Sequence, residues 1–97
     1  FYKTQSYPTM KLLECVPNEV GQMITEKTQV PVIGIGAGPF VDGQILVLYD
    51  ILGITQGRTP RFVHNFMKGQ QSPLDAIRTY VQAIRDCKYP APEHCFS

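Results

Sequence analysis

The stretch KLLECVPNEVGQMITEKTQVPVIGIG, residues 11–36, decides the fold. Lys11 to Val16 is short and apolar, as a buried strand should be. Pro17 suits the first turn of a helix, where its missing N–H costs nothing. Val20, Met23, Ile24 and Lys27 then recur at helical spacing, with Glu19, Gln22 and Glu26 on the other side. That pattern predicts an amphipathic helix of about three turns. Thr28 and Gln29 close it, and Val30 to Ile35 is a second apolar strand. Strand, helix and strand in so short a span form a βαβ unit, with parallel pairing and a right-handed crossover. Hydrophobicity that is continuous rather than alternating predicts a sheet covered on both faces.

Asp42-Gly43 is a turn signal, after which Gln44 to Tyr49 reads as a third strand. A helix starting at Asp42 competes with it. Residues 53–61 are polar and rich in Gly and Pro, hence loop, and Phe62 to Met67 reads as a short helical piece. Ser72, Pro73 and Asp75 begin the last helix in the manner of a capping box. Leu74, Ile77, Tyr80, Val81 and Ile84 are its expected buried stripe. Residues 1–10, without periodicity, read as loop or frayed strand, and residues 88–97, with two prolines, as an irregular tail. The chain is thus a single α/β segment over residues 1–97. Residues 11–55 hold the βαβ unit and third strand, and residues 61–87 the helices.

Composition excludes several functions. A net charge of +1 over 97 residues offers nothing to nucleic acid or an anionic membrane surface. No apolar run approaches the roughly 18 residues of a membrane span. The chain opens without a basic-then-apolar leader pattern, although Phe1 is not an initiator Met. Three cysteines, Cys15, Cys87 and Cys95, have no CxxC spacing. Reduced thiols and a cytoplasmic location are therefore expected, with a Cys87–Cys95 bridge the weaker alternative.

Gly34, Gly36 and Gly38 nearly match a dinucleotide fingerprint, but the third glycine should stand at 39, where the chain has Pro39. The glycines read instead as a sharp bend or a close approach at a strand end. Glu14 is the sharper candidate. A carboxylate inside LLECV is costly to bury unless paired, protonated or bound. It also lies at the C-terminal end of its strand, where parallel α/β folds carry their active sites. A rim carboxylate held by a nearby Lys or Arg is the structural alternative. Asp50 ends the third strand in the same way and reads first as a cap or turn residue. His64 and His94 lack metal-ligand spacing and suit surface or capping roles. Cys15 suits a buried small apolar position better than a nucleophile.

Five ordered blocks carry a resemblance: LLECVP at 12–17, VPVIGIGAG at 30–38, DGQILVLYDILGIT at 42–55, RFVHNFM at 61–67 and YPAPEHCF at 89–96. Together they resemble the C-terminal part of the ketopantoate hydroxymethyltransferases. The resemblance implies a (β/α)8 TIM barrel of the phosphoenolpyruvate/pyruvate type, of which about three parallel strands with their helices fall in this chain. It implies transfer of a hydroxymethyl group from 5,10-methylenetetrahydrofolate to 3-methyl-2-oxobutanoate, giving 2-dehydropantoate for pantothenate biosynthesis. It further implies dependence on Mg2+, with the metal ligands on earlier strands than these, and a homo-oligomer, decameric in the family. Glu14 occupies the place of the family's proton acceptor. Tyr2 to Gln5 resemble an earlier family block, yet the stretch from there to Leu12 is shorter by about one helix. Tyr49 stands where the family usually has His.

Overall fold

A computed structural model of the chain describes residues 3–6 and 9–96. Four strands form one sheet in the order β1 (Lys3–Ser6), β2 (Lys11–Glu14), β3 (Val32–Ile35) and β4 (Gly43–Gln44). β2, β3 and β4 run parallel, and β1 runs antiparallel to β2. Helix α1 (Asn18–Lys27) makes the crossover between β2 and β3. The βαβ reading of residues 11–35 is therefore what the chain forms. Residues 3–6, read as loop or frayed strand, are instead an ordered edge strand, with Lys3 opposite Glu14 and Ser6 opposite Lys11.

Strand alternation sorts the side chains. Leu13 and Val32 point to one face and are fully buried with Val16 and Ala37, packed under Val20 and Ile24 of α1. Gly21, on the inner side of α1, makes this close fit possible, since a Cβ there would stand 2.6 Å from the Ala37 carbonyl oxygen. Met23, expected in the helix's buried stripe, is exposed. The opposite face of the sheet carries Leu12, Glu14, Ile33 and Ile35, all half-buried. The expectation of a sheet covered on both faces thus holds fully for one face and in part for the other among the described residues.

The third strand is shorter than Gln44–Tyr49. Asp42 clamps its start: its N–H donates to the Val32 carbonyl at 2.9 Å, and its Oδ2 accepts the Val32 N–H at 2.8 Å. Only Gly43 and Gln44 then pair with β3, opposite Ile33 and Gly34. Beyond a last hydrogen bond from Ile45 N–H to Gly34, the chain leaves the sheet and winds into the single turn α2 (Leu48–Ile51). Residues 62–67 form no helical piece: turns at 61–62 and 66–69 flank an irregular stretch at 63–65. Phe66 is anchored there through its N–H to the Ile51 carbonyl at 2.9 Å.

Helix α3 (Pro73–Arg85) begins as the sequence predicts, with Pro73 in its first turn and the Ser72 hydroxyl accepting the Asp75 N–H at 3.2 Å. Its buried side is Ala76 and Tyr80, with Ala83 and Ile84 packed against the same cluster. Leu74, Ile77 and Val81, placed by sequence in that stripe, lie about 100° round the helix and are exposed. Ile51, Phe66, Ala76, Tyr80 and Tyr89 form this second core, with Phe66 edge-on to both tyrosines. The tail holds one 3₁₀ turn (Pro92–His94). Cys87 is exposed and Cys95 buried, and neither is bridged. No helix among the described residues is long and apolar enough to cross a membrane.

Candidate active site

Glu14 is the last residue of β2, and the turn after it fixes where it stands. Cys15 takes a left-handed backbone (φ 57°), and its N–H still reaches the Ile35 carbonyl at 3.0 Å. Val16 N–H bonds the Gly36 carbonyl at 3.0 Å, and Pro17 turns the chain into α1. Pairing with β3 therefore continues round the corner, which holds the end of β2 in register with the end of β3, Glu14 opposite Ile35. Because Leu13 is committed to the α1 side, Glu14 belongs to the other face, in register with Ile35 of β3 on one side and Lys3 of β1 on the other. A half-buried carboxylate at the C-terminal edge of parallel strands can accept a proton from a carbon acid held beside it.

The glycine turn beyond β3 is structural. Gly36 (φ +68°) lies under the ring of Phe62, and Gly38 (φ +82°) lies against the side chain of Asn18. Any Cβ at either position would collide with that neighbour. The N-terminus of α1 is also occupied, since Asn18 N–H donates to the Phe96 carbonyl at 3.1 Å. A phosphate has neither the glycines nor the helix end to itself, in agreement with the failed fingerprint spacing.

Asp50 is buried, whereas its neighbour Tyr49 is largely exposed. Asp50 N–H donates to the Val47 carbonyl at 3.0 Å, the turn role expected from sequence, and its Oδ1 accepts the Thr55 hydroxyl at 2.5 Å. His94 also takes a capping role, its Nδ1 accepting the Ala91 N–H at 3.0 Å beside the ring of His64. Burial, and then the neighbouring His64, hold the His94 imidazole below the usual histidine range against an opposing pull from Glu93.

Sequence reasoning missed the tail's part in this end of the molecule. Tyr89 donates its hydroxyl to the Phe62 carbonyl, and Arg61 Nη1 donates to the Cys95 carbonyl at 3.4 Å. Phe96 packs edge-on to Phe62 and closes the start of α1. These contacts join residues roughly 30 to 80 positions apart, and no local pattern announces them. Burial, and then Tyr80, Asp50 and Cys95, push the Tyr89 phenol far above its usual range.

Three parallel strands with a crossover helix, a carboxylate at one strand end and a glycine turn at the next define an α/β segment. The particular family is given by comparison: the chain belongs to the ketopantoate hydroxymethyltransferases, whose family model matches residues 8–92. It is 53% identical over 85 residues to the 3-methyl-2-oxobutanoate hydroxymethyltransferase of Chromohalobacter salexigens, covering 88% of this chain and 32% of that protein. It is 58% identical over 85 residues to that of Alkalilimnicola ehrlichii, covering 88% and 31%. To enzyme 2 of Pseudomonas aeruginosa it is 50% identical over 94 residues, covering 96% and 35%. The chain thus spans about a third of the length of these relatives.

Proposed function

We propose that this chain contributes the proton-accepting strand of a 3-methyl-2-oxobutanoate hydroxymethyltransferase, with Glu14 as the catalytic base. Glu14 takes the C3 proton of the keto acid. The enolate carbon then forms a bond to the one-carbon unit of 5,10-methylenetetrahydrofolate, both bonds from that unit to folate nitrogens break, and the two nitrogens take up the C3 proton and one proton of water. One water supplies the hydroxyl, and the products are 2-dehydropantoate and tetrahydrofolate. The observation that carries this reading is the position of Glu14: last residue of a parallel strand, on the face away from α1. The family relationship supports the substrates. A closed (β/α)8 barrel of roughly 250 residues would supply the remaining strands.

Among the described residues no three His, Cys, Asp or Glu side chains come together to hold a metal ion. By the family resemblance, Mg2+ would be held by residues on earlier barrel strands than these. A homo-oligomer of cytoplasmic protomers is the assembly this reading favours, by relationship to the family.

The test is Glu14→Gln in the protein that carries these residues. Turnover should fall by roughly 10²–10⁴-fold, the usual range for a general base, with the circular dichroism spectrum kept. Exchange of the C3 proton of 3-methyl-2-oxobutanoate without folate should fall in parallel. Near-normal exchange would return Glu14 to a structural role.

A further inference from the structure

Beyond the end of β4 the chain builds a polar cavity of about 310 Å3, lined by Asp50, Gly53, Thr55, Thr59, Val63 and Asn65. Asp50 is 9% exposed, so a carboxylate forms the inner wall. The opposite wall depends on Gly53, whose φ is +70°: a Cβ there would stand 2.3 Å from Asn65 Nδ2. Asn65 Oδ1 accepts the Met67 N–H at 2.9 Å, which leaves Nδ2 as the donating end of the amide. The cavity is linked to the proposed catalytic edge through neighbouring residues. Val63 follows Phe62, Phe62 covers Gly36, and Gly36 follows Ile35, the partner of Glu14.

We propose that this cavity binds the amino-substituted heterocycle of the one-carbon donor, a 2-amino-4-oxopyrimidine edge such as a reduced pterin presents. Asp50 accepts from the ring N–H and the exocyclic amino group, and Asn65 Nδ2 donates to the ring carbonyl. This assignment rests on the hydroxymethyl-transfer reading and names the part of the second substrate that reaches these residues.

The chemistry of the wall selects this ligand. A carboxylate offers about four acceptor positions, and the Thr55 hydroxyl occupies one of them. A planar group with two adjacent N–H donors can take the others side by side, as bidentate partners do. The keto acid is itself an anion, and no Lys or Arg lines the cavity to offset Asp50. With no cation beside Asp50, a ligand that donates suits this wall better than one that only accepts. The volume falls within the usual range for small-molecule sites.

The experiment is calorimetric titration of the protein that carries these residues with 5-formyltetrahydrofolate, in the absence of keto acid. Asp50→Asn presents an amide where the ligand also donates, and should weaken binding roughly tenfold or more, as expected for hydrogen bonds to a charged group. The same probe with methyl in place of its 2-amino group should bind the unaltered protein about as weakly, and lose little more on Asp50→Asn. Undiminished binding of the methyl analogue to the unaltered protein overturns the proposal, whether or not Asp50→Asn folds. So does tight binding of the parent probe by folded Asp50→Asn. Keto-acid exchange without folate reads Glu14, and probe binding without keto acid reads Asp50, so either assignment can fail alone.

Discussion

Gly36 lies flat beneath the Phe62 ring, so close that a Cβ at position 36 would stand 2.6 Å from the ring's Cδ2. The contact joins the end of β3 to the loop behind α2, two parts of the chain that share no hydrogen-bonded strand. Gly36→Ala adds both a left-handed backbone penalty and an overpacked ring contact. It should destabilise the protein by about 2–4 kcal/mol. The check is a urea midpoint that falls at constant slope. A midpoint within error of the parent would mean the loop shifts freely.

The start of α3 rests on one hydroxyl. Ser72→Ala removes the acceptor for the Asp75 N–H and should cost about 1 kcal/mol. Ser72→Asp, which restores an acceptor, should recover most of it. No loss in Ser72→Ala would show that the cap contributes nothing.

Stability should form a plateau against pH, bounded by His94 and by the two buried tyrosines. The His94 imidazole is held below its ordinary value, so its contribution is present above about pH 6.5 and is lost as pH falls below that value. Protonated Nδ1 would set a second donor against the Ala91 N–H. Burial raises Tyr80 and Tyr89, so their contribution is present below about pH 10 and is lost as pH rises through the alkaline range. His94→Gln should flatten the acid limb of urea midpoint against pH, and Tyr89→Phe the alkaline limb. An acid limb unchanged in His94→Gln would assign it to other groups.

The side of α3 that carries Leu74, Ile77 and Val81 leaves apolar surface in water, as do Val47, Leu48 and Tyr49 before and within α2. The 97-residue chain alone should therefore sediment well above its 10.9 kDa and show no keto-acid exchange. Replacing Leu74, Ile77 and Val81 together with Glu should lower the sedimenting mass. A monodisperse, unassociated parent chain would contradict this.

Several elements were legible because their signal is local. Pro17 before an amphipathic run, and Ser72-Pro73 three residues before Asp75, are properties of neighbours in sequence. The placement of Glu14 at a strand end followed from the apolar run that precedes it. The misreadings share another cause. Gln44 to Tyr49 is apolar enough for a strand, but pairing stops where the Asp42 clamp and the length of β3 stop it. Leu74, Ile77 and Val81 are apolar at helical spacing, yet burial depends on what packs against that side. The Asp50 cavity was invisible for a similar reason: Thr55, Thr59 and Asn65 are ordinary loop residues until Gly53 lets them meet.

The hydrogen bond from Asn18 to the Phe96 carbonyl has a consequence for biosynthesis. Glu14 and its brace lie some eighty residues apart along the chain. β2 and β3 can pair as soon as both are made, but the corner behind the proposed base gains its brace only once Phe96 follows. The scaffold thus forms before the corner it positions is fastened.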